Sequence, residues 1–136
     1  MDARPLALFQ ISPDDINRVV RLFYAEIRKH PILAPVFAAH VENWPEHEEK
    51  IASFWRNAIL RERVYSGNPM RVHASTPEIK AEHFSDWLDL FHAVLARTVT
   101  PQQAQAWGAL ADRIGEGFRT GVVSLRQPRG APPRLV

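Results

Sequence analysis

The segment from residue 44 to residue 91 carries the pattern that decides the fold of this chain. It contains W-P-E-H-E-E-K-I-A-S-F-W at 44–55, Y-S-G-N-P-M-R-V-H at 65–73 and E-H-F-S-D-W-L-D-L-F at 82–91. These runs hold three histidines and three tryptophans, which are His47, His73, His83, Trp44, Trp55 and Trp87. At helical spacing, several of them fall on faces that are otherwise apolar. The combination indicates a site for a flat, apolar ligand with a metal at its centre.

Composition sets limits on the class of protein. The chain has 136 residues, of which 46% are hydrophobic, which predicts one domain that buries a core or shares it with a cofactor. It has no cysteine, so disulfides, iron–sulfur clusters, thiolate zinc sites and haem bound covalently through C-x-x-C-H are excluded. A metal would have to be held by histidine, carboxylate or tyrosine.

Charge and hydropathy point to a protein that binds neither nucleic acid nor membrane. The net charge is only +2, and the basic residues are spread along the chain or gathered near its end. No basic face for nucleic acid stands out. The first 15 residues lack a signal-peptide pattern, and no run approaches the ~20 apolar residues of a membrane span. We therefore expect a cytoplasmic location.

Four helices are predicted, with no strands. Ser12 and Pro13 should begin the first, whose apolar stripe runs from Ile16 to Ile27, and Pro31 should end it. Pro35 predicts an irregular corner after it. The second helix should run from Trp44 to about Glu62.

The second half of the chain continues this all-α pattern. Residues 75–78 resemble a helix cap, which predicts a third helix to about Thr98. Thr100 and Gln103 should cap a fourth helix that ends near Leu125. We expect residues 1–125 to form one domain, and the proline- and arginine-rich residues 126–136 to form a flexible tail.

Spacing alone leaves the role of each candidate residue open. Tyr24 lies on the first apolar stripe, either as an ordinary core tyrosine or as a hydroxyl donor in a pocket. Each histidine also has a structural alternative. A haem iron needs one neutral imidazole, an apolar slot and a polar donor on the opposite side. His73 could supply the imidazole, with Tyr24, His47 and Trp87 on facing helices, but His83 competes with it.

The spaced aromatic and histidine motifs resemble those of the truncated haemoglobins, the two-over-two globins, and within them the bacterial third group. The likeness covers about residues 12–123. The double-glycine motifs of other truncated globins are missing, as expected for this group. The motifs that carry it are F-Y at 23–24 with R-K at 28–29, A-P-V-F at 34–37, W-x-x-H at 44–47, K-I at 50–51, F-W at 54–55, Y-x-G-x-P-M-x-x-H at 65–73 and F-x-x-W-L-x-x-F at 84–91.

The resemblance implies a two-over-two helical sandwich around a non-covalent haem b, and it assigns a role to each candidate. His73 becomes the proximal iron ligand, and His83 becomes a structural residue or one at the pocket edge. Tyr24 and Trp87 become donors to the iron-bound ligand, with His47 beside them as a gate. The pocket wall then comprises Phe23, Phe37, Ile51, Phe54, Met70 and Phe91.

Three functions follow from these roles. The first is tight binding of oxygen, nitric oxide or another small diatomic ligand, because two donors of about 1–3 kcal/mol each slow release by roughly 10²-fold or more. The second is a haem enzyme, a nitric oxide dioxygenase or a peroxidase-like protein, that needs an external reductase. The third is a haem-free helical interaction module in which all these side chains serve the core.

Overall fold

The computed structural model describes residues 7–62 and 79–125, and the side chains as far as residue 123. Within these ranges the chain forms helices and no strand, so the all-α prediction is confirmed. None of the described helices is long and apolar enough to cross a membrane. The helices are α1 (Pro13–Ile27), α2 (Leu33–Ala38), α3 (Trp44–Leu60), α4 (His83–Thr98) and α5 (Pro101–Leu125).

Side-chain caps begin three of these helices, and those at Ser12 and at Thr100 with Gln103 were predicted. The Ser12 side chain accepts a hydrogen bond from the backbone N–H three residues on at 3.1 Å, and Asn43 does the same at 3.0 Å. Thr100 and Gln103 form a reciprocal capping box, with bonds of 3.1 and 3.2 Å. A proline lies in the first turn of α1 and of α3, where a missing N–H leaves no helical bond unmade. Residues within one turn of each helix start therefore determine where these helices begin.

The predicted irregular corner around Pro35 is wrong, because residues 33–38 form α2. Pro35 lies in the first turn of that helix, where backbone N–H groups have no intrahelical acceptor. His30 caps this turn with its ring, since Nδ1 accepts hydrogen bonds from the N–H groups of Ile32 and Leu33, both at 3.1 Å. A proline at this place is compatible with a short helix.

The helix predicted to begin near residues 75–78 begins later. Those residues lie outside the described ranges, and residues 79–82 are not helical, so α4 starts at His83. The N–H groups of His83, Phe84 and Ser85 bond to carbonyls three residues back, at 3.0 to 3.3 Å. This tight turn precedes the regular helix. The predicted tail, residues 126–136, also lies outside the described ranges.

An aromatic stack at the centre of the core fixes the helices that surround the site. The ring of Phe91 lies between the indoles of Trp55 and Trp87, with centroid distances of 5.5 and 5.1 Å and interplanar angles of 12° and 10°. Phe23 meets Phe91 and Trp87 edge-on at 5.0 and 5.2 Å. Each such pair contributes about 0.5–1.5 kcal/mol beyond its buried area. The stack therefore holds α1, α3 and α4 in one arrangement, while α5 packs along α4.

Candidate functional site

A cavity of about 280 Å³ opens between the helices. Its wall is mostly apolar and aromatic, and every described helix contributes to it. The apolar lining consists of Leu33, Val36, Phe37, Val41, Ile51, Phe54, Trp55, Ile79, Phe84, Trp87, Ile114, Gly115 and Phe118, and the polar lining of Tyr24, His40, His47, Lys50 and His83. An apolar slot with few polar groups is the usual form of a cofactor site.

Tyr24 and His47 face each other in this cavity. Tyr24 lies in the last turns of α1, and His47 lies in the first turn of α3. Their ring centroids are 5.0 Å apart at an interplanar angle of 87°. The Tyr24 side chain is only 2% exposed, and its pKa is raised above the ordinary value, mainly by burial and also by the negative charge of Glu48. The hydroxyl therefore stays protonated and can act as a donor.

His47 presents a polar atom that lacks a partner. Its Nε2 atom is buried and makes no hydrogen bond with the described residues. Burial lowers the pKa of His47, and the positive charge of Lys50 lowers it further, so the imidazole is neutral at pH 7. A buried polar group without a partner costs about 1–3 kcal/mol. A ligand that offers a partner in the cavity would recover that energy.

We expect His47→Leu to stabilise the ligand-free chain by about 1 kcal/mol at neutral pH, because it removes the unsatisfied nitrogen. The wild-type chain should also lose stability in acid, and the variant should not show this loss. Since the folded pKa of His47 lies below its unfolded value, the unfolded state binds more protons in acid, and stability falls as the pH drops below about 6.5. Urea unfolding of both proteins at about pH 7.5 and pH 5.5 measures this. An identical acid loss in the variant would contradict the neutral assignment.

The other predicted pocket residues fall into two layers. Trp87, Phe37, Ile51 and Phe54 line the cavity directly. Phe23 and Phe91 are 2% and 0% exposed, and they pack behind Trp87 rather than on the cavity itself. The proposed proximal ligand His73, together with Met70, lies outside the described ranges.

His83 also lines the cavity, but its hydrogen bonding works against the role of iron ligand. Its Nδ1 atom accepts a hydrogen bond from the Lys80 N–H at 3.0 Å. In a neutral imidazole, an acceptor at Nδ1 requires the proton on Nε2. A protonated Nε2 has no lone pair for a metal, so in this arrangement His83 presents a donor instead.

Sequence reasoning did not find the contribution of α5. Ile114, Gly115 and Phe118 line the cavity. Ile114 and Phe118 are one turn apart on the same stripe as ordinary core residues, so hydrophobic periodicity could not separate wall from core. Gly115 had a detectable signal, since a glycine inside a helix costs stability and often marks close packing.

Two glycines of α5 give a matched pair of predictions. A Cβ at Gly117 would meet nothing within 4 Å, so Gly117→Ala should stabilise the chain by about 0.5–1 kcal/mol through helix propensity. A Cβ at Gly115 would lie 3.1 Å from a methyl carbon of Leu88, which must move. Gly115→Ala should therefore gain less or lose stability in urea unfolding. Equal gains would mean that the α4–α5 contact is loose.

The comparison with protein families agrees with this geometry. The model of the family described as bacterial-like globin matches residues 12–113. The chain belongs to that family. Membership of a globin family implies a haem cofactor, and the mostly apolar cavity that holds the neutral side chains of Tyr24 and His47 is suited to one.

Two comparisons, one of sequence and one of structure, place this globin more closely. It is 35% identical over 89 residues to a group 3 truncated hemoglobin from Campylobacter jejuni, an alignment that covers 62% of this chain and 70% of the relative. Its structure is similar to the crystal structure of the group III truncated hemoglobin from Campylobacter jejuni, with a TM-score of 0.79 and 27% identity over 86% of this chain and 95% of the other. The predicted truncated globin fold is confirmed.

Proposed function

We propose that this globin holds a non-covalent haem b in the cavity and binds oxygen, nitric oxide or another small diatomic ligand there. The observation that carries the proposal is the Nε2 of His47, which has no partner among the described residues and lies beside the buried Tyr24 side chain in a mostly apolar cavity. Haem supplies an iron centre that takes such ligands when bound. The side chains around the iron would then set the rate at which the ligand dissociates.

The polar side chains on the α1–α3–α4 side form the distal part of the site in this proposal. Tyr24 keeps its proton because burial raises its pKa, so it donates through the hydroxyl. Trp87 donates through its indole N–H, which has no acceptor capacity. His47 is neutral and can move a proton or leave the cavity as a gate.

The remaining wall excludes water and anchors the cofactor. Phe37, Ile51 and Phe54 provide apolar surface around the ligand. Lys50 is exposed at the edge of the cavity, where its ammonium group can pair with a carboxylate of the cofactor. Arg71, outside the described ranges, is a second candidate for that role. His73 as the proximal ligand rests on the resemblance of its motif to that of the group III proteins.

A second function, redox catalysis by the haem, is favoured by the neutral His47 imidazole next to the ligand position. Such a group can accept a proton from a peroxide or assist reaction of the bound ligand with nitric oxide. Either cycle needs an electron donor from outside this chain, such as a reductase. Fast turnover with a reductase present would support catalysis as the main role, and slow autoxidation alone would count against it.

Titration of the purified chain with haemin tests the proposal. We expect a 1:1 complex with a shifted Soret band. Ile51→Trp should prevent its formation by filling the cavity, whereas Leu22→Trp, on a 42% exposed position of α1, should leave it intact. Circular dichroism should show that both variants keep their helices. A chain that takes up no haemin, or a complex that forms equally well in both variants, would contradict the proposal.

A further inference from the structure

A cluster of three side chains packs beside Tyr24 and His47, at the edge of the site and outside the residues that line the cavity. Arg28 follows the end of α1, and Trp44 and Glu48 belong to the first turns of α3. The guanidinium carbon of Arg28 lies 4.5 Å from the centroid of the Trp44 ring. The same guanidinium donates a hydrogen bond to the Glu48 carboxylate and forms an ion pair with it. We call Arg28, Trp44 and Glu48 the edge cluster.

The edge cluster touches two of the polar residues on the distal side, Tyr24 and His47. The Trp44 ring packs against Tyr24 at 6.1 Å and against His47 at 6.2 Å between centroids. Glu48 is the next residue after His47, and its charge contributes to the raised pKa of Tyr24, so the carboxylate acts on the hydroxyl. A movement of Trp44 or Glu48 would therefore move the surroundings of Tyr24 and His47.

Burial of Glu48 makes the ion pair more than a surface contact. The Glu48 side chain is 13% exposed, whereas that of Arg28 is 42% exposed. Exposed pairs contribute little, but a mostly buried charge left without its partner is costly and tends to turn toward water. A movement of the Glu48 carboxylate toward water would disturb the first turn of α3, to which Glu48 is attached. That turn carries the His47 imidazole.

We propose that Arg28 is a positioning residue for the distal side of the pocket, which fixes the first turn of α3 through Glu48 and Trp44 and so sets the place of His47 relative to Tyr24. This inference rests on the proposed function where it concerns ligand binding. It adds a specific residue outside the cavity lining that controls how tightly a diatomic ligand is held.

The test compares Arg28→Met with Arg97→Met. Methionine keeps an apolar side chain of similar length but loses the guanidinium. Arg97 also joins another helix to α1, through an ion pair with Glu26 at 3.3 Å, and its side chain is 59% exposed, so its loss is a matched control. The first measurement is the oxygen dissociation rate of the haem-loaded protein. The second is the set of nuclear Overhauser contacts between the ring protons of His47 and those of Tyr24 and Trp44, with and without haem.

We expect Arg28→Met to weaken the ring contacts of His47 and to speed oxygen release about threefold to tenfold, since small misplacements at a binding site have large effects. Arg97→Met should change neither. Arg28→Lys, which keeps a cation near the indole and the carboxylate, should restore part of both. If Arg28→Met does not fold, Glu48→Gln removes the same ion pair and should weaken the same contacts.

Unchanged ring contacts in Arg28→Met, or equal changes in both methionine variants, would overturn the positioning role. Failure of haem binding would overturn the proposed function instead. The ring contacts can still be measured in the haem-free chain, so the two failures are distinguishable.

Discussion

His73→Gly should lower the affinity of the chain for haem on the order of 10²-fold, equivalent to about 2.7 kcal/mol. In the proposal the His73 imidazole binds the haem iron. Glycine removes this imidazole and leaves the apolar cavity in place. Haemin titration followed in the Soret region measures the loss. Added free imidazole should restore the spectrum of the wild-type complex, because it can enter the space left by the side chain.

His83→Gly is the matched control for that variant. His83 lines the cavity, but its Nδ1 accepts the Lys80 N–H, which keeps the proton on Nε2. The control should therefore bind haem with nearly wild-type affinity. The reverse outcome, with loss in His83→Gly and binding in His73→Gly, would transfer the ligand role to His83.

Tyr24→Phe should speed oxygen dissociation by about 10–100-fold, since it removes a donor of about 1–3 kcal/mol from a buried site. Trp87→Phe should have an effect of the same sign. Laser or stopped-flow measurement of oxygen release determines both rates. Phe54→Leu, which alters the wall without removing a donor, should change the rate far less. If Tyr24→Phe and Trp87→Phe both match Phe54→Leu, the donor roles are wrong.

The rate of oxygen release, measured across pH, tests whether the Tyr24 hydroxyl keeps its proton. Burial and Glu48 raise its pKa above the ordinary value, so the phenol should keep its proton past about pH 10. The wild-type release rate should then show no step from a tyrosine in that range. A step that disappears in Tyr24→Phe would mean that the hydroxyl is accessible to water.

The parts of the fold that the sequence predicted well are those with local causes. The capping residues Ser12 and Thr100 begin their helices where predicted, because a cap involves only the next three residues. The starts of α2 and α4 were missed although their causes are also local, since a histidine ring and a tight turn are not among the usual signals for a helix start. Pro35 is tolerated because His30 caps the turn before it, and α4 begins late because a tight turn at residues 81–82 precedes it.

The candidate site likewise has features that the sequence predicted and features that only the structure shows. The apolar stripe of α1 predicts that Tyr24 faces inward, and the spacing of His47 and Ile51 predicts that these two residues share one helix face. In the structure, all three line the cavity. The proton position on His83 depends on the backbone of Lys80, which no sequence pattern encodes. The lining residues of α5 share one periodicity with the core, so only the three-dimensional packing separates them. The roles of His73, Tyr24, Trp87 and His47 in ligand binding remain predictions.

The four tryptophans in and around the cavity also give the molecule an internal optical probe. Trp55 and Trp87 line the cavity, and Trp44 and Trp107 pack against its surroundings. A porphyrin in that cavity would absorb the energy that these four rings would otherwise emit. The native ultraviolet fluorescence should therefore fade in proportion to cofactor uptake, which makes occupancy readable without any attached dye.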